Sequence, residues 1–104
     1  MLDKGTVEKI AREYAEEVKN FLQPSAIVIF GSYVNGKPNE WSDIDIAVIV
    51  KDFQGDWLEA ASKLWSLTRK VSIDIEPHLL DENEDPSGFV EHVLKTGEYI
   101  YRAA

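Results

Sequence analysis

The sequence predicts a small α/β (α+β) domain, in which helices pack against a small mixed β-sheet. Apolar runs of strand length alternate with amphipathic segments of helix length, in the order helix, strand, strand, helix, strand, helix. The first two apolar runs, residues 26–30 and 43–50, are too close in sequence for a crossover helix between them, which predicts antiparallel neighbours. We expect residues 1–104 to form a single domain, since 104 residues can bury one core.

The first half of the chain is predicted to contain one helix and two strands. Apolar residues recur at helical spacing from Thr6 to about Phe21, and Pro24 prevents the helix from continuing. Residues 26–30 are β-branched and nearly all apolar, which is typical of a central strand covered on both faces. After a turn and a loop, residues 43–50 form the second predicted strand.

The second half of the chain is predicted to contain two helices around a third strand. Asp56 is a suitable N-cap for a helix over residues 57–69. The third strand is expected over residues 71–79, and the last helix over residues 87–96, before a short extended tail at residues 99–101. The residues of the middle helix that are expected to face inward are Leu58, Ala61, Leu64, Trp65 and Thr68.

The composition excludes several classes of protein. The net charge of -8 argues against a nucleic-acid polymer as partner, because such affinity depends on Lys and Arg at phosphates, but it is compatible with a nucleoside triphosphate that arrives with Mg²⁺. No apolar run approaches the roughly 20 residues of a membrane span, so no membrane partner is expected. The absence of cysteine is compatible with a reducing, cytoplasmic setting.

Two aspartates at the start of the second strand, Asp43 and Asp45, are the most informative residues of the chain. A strand places every second side chain on the same face, so both carboxylates must emerge together, with α-carbons roughly 6.5 Å apart. Two like charges on one face of an apolar strand are a poor way to build a core, whereas carboxylates at this spacing can share divalent cations. The pair therefore predicts a metal site.

The Gly31-Ser32 pair follows the first strand and predicts a site for phosphate. A glycine at the end of a buried strand lets the backbone approach a ligand closely, and a following helical turn would direct free N–H groups outward. The Ser32 hydroxyl can bond a phosphate oxygen. Facing the two aspartates of the next strand, this turn would form a phosphate cradle beside the metal site.

The third predicted strand offers a third carboxylate, which two-metal phosphoryl transfer usually needs. Asp74 and Glu76 are two residues apart on one predicted face, and Asp74 is preferred on strand geometry. Glu76 stays open as the alternative, because Pro77 marks an irregular or edge position. His78, at the end of this strand, is expected to be a half-exposed polar residue rather than a ligand, because Mg²⁺ prefers oxygen.

Gly31-Ser32, ten intervening residues and then Asp43-Ile44-Asp45 resemble the signature of the DNA polymerase β-like nucleotidyltransferase superfamily. The chain looks like a minimal nucleotidyltransferase (MNT), the short form that is the antitoxin in HEPN–MNT toxin–antitoxin pairs. Gly36 and Ser42 also fit the pattern. The resemblance covers nearly the whole chain and implies a nucleotidyltransferase-like fold.

The resemblance also implies an activity: transfer of a nucleoside monophosphate, often AMP from ATP, to a hydroxyl. Asp43 and Asp45 would hold two Mg²⁺ ions, joined by Asp74 or Glu76, which would act as base. Gly31 and Ser32 would hold phosphates, and Ser42 is a further candidate for binding the nucleotide. In the toxin–antitoxin branch the acceptor is a tyrosine of the HEPN toxin.

Two functions of different kinds are compatible with these features. The first is an active transferase that modifies a protein or small-molecule hydroxyl. The second is a non-catalytic antitoxin, a binding module that neutralises its partner by forming a complex. The small size favours dependence on a second protein, either a HEPN-type toxin or another copy of the chain, because full transferases usually carry an additional domain for the acceptor.

Overall fold

The computed structural model describes residues 2–36, 38 and 43–103, which form four helices and a four-stranded sheet. The elements in chain order are α1 (Lys4–Lys19), β1 (Ala26–Phe30), α2 (Ser32–Asn35), β2 (Ile44–Val50), α3 (Trp57–Val71), β3 (Ile75–Asp81), α4 (Phe89–Thr96) and β4 (Glu98–Arg102). The strand order is β3-β2-β1-β4, in which β1 is antiparallel to β2 and β4, and β2 is parallel to β3. The mixed sheet and the antiparallel β1–β2 pair confirm the sequence predictions.

The third strand begins four residues later than predicted. Val71 is the last residue of α3, and Ser72, Ile73 and Asp74 form a turn before β3 starts at Ile75. In this turn Asp74 N–H donates to Ser72 Oγ at 3.1 Å, and the Ile73 side chain is 83% exposed. The polar–apolar alternation that predicted a strand from residue 71 therefore arises from a helix end and a turn, and the strand prediction was wrong there.

Smaller differences occur at the end of the chain. The last helix begins at Phe89 instead of residue 87, because the Asp85 carboxylate accepts hydrogen bonds from Val90 N–H (2.9 Å) and Glu91 N–H (3.0 Å) and fixes the first turn there. The predicted tail at residues 99–101 lies within β4, which forms one edge of the sheet beside β1.

The two faces of the sheet are covered differently. Helices α1 and α3 pack on one face around a large apolar core, which includes Tyr14, Ile44, Ile46 and Leu64. The Tyr14 hydroxyl donates to Leu64 O at 2.6 Å and joins the two helices. Helix α4 packs on the other face over a smaller cluster, made by Ala26, Val28, Ala47, Ile49, Val90 and Val93.

Helix α3 buries fewer residues than its sequence predicted. Leu64 and Thr68 are buried as expected, but Leu58 and Trp65 are 75% and 52% exposed. They lie on a side of α3 that neither the sheet nor α1 covers. None of the helices in the described ranges combines the length and the apolar character that a membrane crossing requires.

Candidate active site

Strand β2 contributes to the core with one face and carries a carboxylate on the other. Ile44 and Ile46 are completely buried on the α1–α3 face, and the half-buried Asp45 points to the α4 face between them. Helix α4 covers Ala47 and Ile49 further along the strand. Asp45 therefore lies at the edge of the part of the sheet that α4 covers.

The parallel pairing of β2 with β3 brings further polar groups to Asp45. The register places Asp45 beside Glu76, and Ala47 beside His78, on the same face. His78 Nε2 lies 3.1 Å from Asp45 Oδ1 and 3.9 Å from Glu76 Oε1. One ligand atom from each of the three residues lies within 4.8 Å of the other two.

The electrostatics of this cluster are dominated by negative charge. Desolvation and the neighbouring Asp45 carboxylate raise the pKa of Glu76, and His78 opposes the shift. The Asp43 carboxylate, which lies just before β2 and is exposed, also raises this pKa. A carboxylate whose charged form is disfavoured by its neighbours is a suitable partner for a cation or a proton.

The two candidates for the third carboxylate occupy different places. Glu76 lies on β3 beside Asp45, whereas Asp74 precedes the strand and is exposed, with Ser72 Oγ donating to its Oδ2 at 3.5 Å. The backbone of Asp74 accepts from Ile44 N–H at 2.7 Å and so helps to start the pairing of β2 with β3. Within the described ranges, the group of possible metal ligands includes Glu76 and leaves out both Asp74 and Asp43.

Gly31 brings the turn after β1 into contact with Asp45. Its φ of 81° and ψ of -149° are accessible to glycine but strained for other residues. A Cβ atom at this position would collide with Asp45 Oδ2 and lie 3.3 Å from Asp45 Cγ. The helical turn predicted after Gly31 is present as α2, which begins at Ser32. The predicted nucleotide-binding residue Ser42 lies outside the described residues.

His78 is the residue of the cluster that the sequence prediction left aside. Its ring packs edge-on against Phe30, with 5.0 Å between ring centroids, and Phe30 in turn contacts Phe89 of α4 at 5.7 Å. The half-exposed position was predicted correctly. The signal for its proximity to Asp45 was the two-residue spacing from Glu76, which puts both side chains on one face of β3.

The residues present fit a divalent cation. Two carboxylates converge on one point. Desolvation and the Asp45 charge, which both raise the pKa of Glu76, would be offset by a positive charge placed between the carboxylates. Oxygen donors of this kind are the ligands that Mg²⁺ prefers, and imidazole nitrogen is accepted by transition-metal ions. Asp45 and Glu76 could hold such an ion, with His78 at the same point.

Comparison with known proteins gives consistent matches. The family model described as Polymerase beta, Nucleotidyltransferase matches residues 8–104. A candidate protein adenylyltransferase of Methanocaldococcus jannaschii is 43% identical over 42 residues, which are 40% of this chain and 49% of that protein. The chain thus aligns with about half the length of this curated relative.

Two solved structures have a similar fold. A candidate nucleotidyltransferase of Sulfolobus solfataricus superposes with a TM-score of 0.67 at 25% identity, covering 92% of this chain and 80% of that one. A chain of a toxin–antitoxin complex solved with AMP-PNP superposes with a TM-score of 0.60 at 26% identity, covering 88% of this chain and 73% of that one.

Proposed function

The chain belongs to the Polymerase beta nucleotidyltransferase family, and we propose that it is an enzyme that transfers AMP from ATP to a protein hydroxyl in a Mg²⁺-dependent reaction. The acceptor we propose is a tyrosine of a HEPN-type toxin, for which this chain is the antitoxin. The adenylyltransferase relative supports the reaction, and the toxin–antitoxin complex with AMP-PNP supports a toxin as partner and an adenine nucleotide as substrate.

The observation that carries this proposal is the register of β2 and β3, which places Glu76 beside Asp45 on the open part of the sheet. Two carboxylates from adjacent strands, with a third at Asp43, supply the donors that two-metal nucleotidyl transfer requires. Glu76 takes the role for which the sequence favoured Asp74. Asp43, Asp45 and Glu76 would hold two Mg²⁺ ions, which when bound neutralise triphosphate charge and stabilise the attacking and leaving oxygens.

The turn at Gly31 would bind the triphosphate. With no side chain at Gly31, phosphate oxygens can approach the backbone next to Asp45, and the first N–H groups of α2 have no acceptor within their own helix. The Ser32 hydroxyl would donate to a phosphate oxygen. Ser42 stays a proposed contact to the nucleotide.

Glu76 would accept the proton of the attacking hydroxyl. The oxygen of the acceptor hydroxyl attacks the α-phosphorus of ATP, the bond from that phosphorus to the pyrophosphate oxygen breaks, and pyrophosphate leaves with the bond electrons. The acceptor proton passes to Glu76 Oε1. The position of Glu76 supports this role, because the residue lies beside Asp45 and is partly exposed, so an acceptor hydroxyl can reach its carboxylate.

The test is co-expression with a HEPN-type partner, followed by intact-mass measurement of both proteins. We expect a mass gain of one or more AMP units on the partner, lost in Asp45→Asn and in Glu76→Gln. Asp74→Asn is the matched control, since it removes a carboxylate two residues from Glu76 but outside the cluster. A partner that is held tightly but stays unmodified would replace this proposal with that of a non-catalytic antitoxin.

A further inference from the structure

The position of His78 bears on which cation this site takes. Its Nε2 atom lies 3.1 Å from Asp45 Oδ1, and the edge-on contact with Phe30 holds the ring in that direction. The side chain is 31% exposed and thus accessible to a solvated ion. Nε2 also lies 3.9 Å from Glu76 Oε1, so it faces both carboxylates at once.

The spacing of these atoms suits the ligands of one ion. Adjacent ligands of an octahedral ion, each at about 2.1 Å from the metal, are about 3 Å from one another, and opposite ligands are about 4 Å apart. The three atoms of the cluster lie within 4.8 Å of one another, so small side-chain movements bring them into this range.

We propose that His78 Nε2 is a ligand, together with Asp45 and Glu76, of one divalent cation, and that it shifts the preference of the site from Mg²⁺ towards Mn²⁺. Mg²⁺ binds oxygen and dehydrates reluctantly, whereas first-row transition-metal ions accept imidazole nitrogen readily. The inference rests on the proposed function, because it concerns the metal site of that reaction. The inference assigns to His78 the selection of the metal ion at this site.

The test measures metal binding without nucleotide or acceptor. Mn²⁺ binding is followed by the loss of the free-ion electron paramagnetic resonance signal, and Mg²⁺ binding by calorimetry. In His78→Gln and His78→Phe we expect Mn²⁺ affinity to fall at least about tenfold, while Mg²⁺ affinity changes much less. The Phe variant keeps an aromatic ring against Phe30. His92→Gln, on the exposed side of α4, is the matched control and should bind both ions like the wild type.

Other results would overturn the inference in distinguishable ways. Equal losses of Mn²⁺ and Mg²⁺ affinity would show that His78 only orients Asp45. Unchanged affinities would show that it has no part in binding. If the wild type bound neither ion, the metal site of the proposed function would fail together with this inference, whereas the first two results leave that site intact.

An exposed apolar surface on α3 supports a second inference, which does not depend on the metal site. Leu58 and Trp65 are 75% and 52% exposed on α3 and lie two helical turns apart, with Ala61 and Ser62 between them on the same side. We define this α3 stripe as Leu58, Ala61, Ser62 and Trp65. Two large apolar side chains that flank small ones on an exposed helix form a surface suited to another helix.

The charges along α3 indicate which helix would pack on the α3 stripe. The exposed Asp56 and Glu59 lie at its N-terminal end. The exposed Arg69 lies at its C-terminal end, next to Lys70, whose Nζ is 3.9 Å from Glu17 Oε1 of α1. An antiparallel second copy of α3 would place acidic and basic ends beside each other, and each Leu58 beside Trp65 of the second copy. We infer that the α3 stripe is the interface of a homodimer. Since α3 lies on the sheet face opposite Asp45, both candidate active sites stay open to an acceptor.

Sedimentation of the full chain tests this inference. We expect a dimer for the wild type and a monomer for Trp65→Glu, with unchanged circular dichroism. Ile73→Glu is the matched control, because Ile73 is 83% exposed but lies beyond the end of α3, and it should stay dimeric. A monomeric wild type, or a dimer that survives Trp65→Glu, would overturn the inference. If instead Trp65→Glu abolished only the complex with a toxin, the stripe would belong to that partner.

Discussion

The two faces of the sheet use the same strands for different purposes. On the α1–α3 face, every second residue of β2, namely Ile44, Ile46 and Val48, is buried in the larger core. On the α4 face, Ala47 and Ile49 are covered while Asp45 lies at the open end. Because side chains alternate along a strand, β2 can supply stability to one face and chemistry to the other. Substitutions on the two faces should therefore have separable effects.

Asp45→Asn should have the largest effect on activity and a small one on stability. We expect labelling of the partner by α-³²P-ATP to fall roughly 10³-fold, since loss of a metal ligand removes several kcal/mol of transition-state stabilisation. The melting temperature of the metal-free protein should not fall, because one of the charges that raise the pKa of Glu76 is removed. A melting temperature many degrees lower would indicate a structural role for Asp45.

Ile46→Ala, on the next residue of the same strand, should have the opposite result. Ile46 is fully buried, so its truncation should lower the free energy of unfolding by about 2–5 kcal/mol through lost burial and a residual cavity. Urea denaturation measures this loss. The increase in melting temperature with Mg²⁺ and ATP should be retained, since Ile46 points away from the cluster. Loss of that increase in a folded Ile46→Ala protein would contradict the separation of the two faces.

Gly31→Ala tests the junction between the turn and the cluster. A methyl group at Gly31 would collide with Asp45, so we expect it to reduce the thermal stabilisation by Mg²⁺ and ATP. Gly36→Ala is the matched control: Gly36 also has a positive φ, of 76°, but an added Cβ there has no neighbour within 4 Å. Both variants should lose about 1 kcal/mol or more of stability from backbone strain. Only Gly31→Ala should also impair the response to nucleotide.

The sequence was most informative where the pattern is local. The apolar run of β1, the alternation in β2 and the turn at Gly31 each depend on neighbouring residues, and the structure has all three. The inward position predicted for Trp65 was wrong because helical spacing identifies an apolar side of α3 but not whether another element covers it.

The position of Glu76 beside Asp45 depends on a contact that is distant in sequence. Asp74 and Glu76 are two residues apart, so the alternation of side chains along a strand places both on the same face. Alternation alone therefore could not show which of them lies beside Asp45. The place of Glu76 beside Asp45 follows from two facts of the tertiary structure: α3 continues to Val71, which delays the strand to Ile75, and β3 pairs in parallel with β2. The proximity of His78 to Asp45 follows from the same register.

Asp85→Ala should have the smallest effect, on the helix that covers the α4 face. Hydrogen bonds from Val90 N–H and then Glu91 N–H hold the pKa of Asp85 below its ordinary value, so its charged form stabilises the fold. This contribution is fully present above the pKa of an unfolded aspartate and is lost as the pH falls through the lower folded-state pKa. The wild type should therefore melt slightly above Asp85→Ala at neutral pH, and the difference should disappear in strong acid.

Glu84→Ala, which removes the adjacent exposed carboxylate, is the control. A difference that persists in strong acid would mean that Asp85 acts through packing instead of charge, and α4 would then not depend on its carboxylate cap.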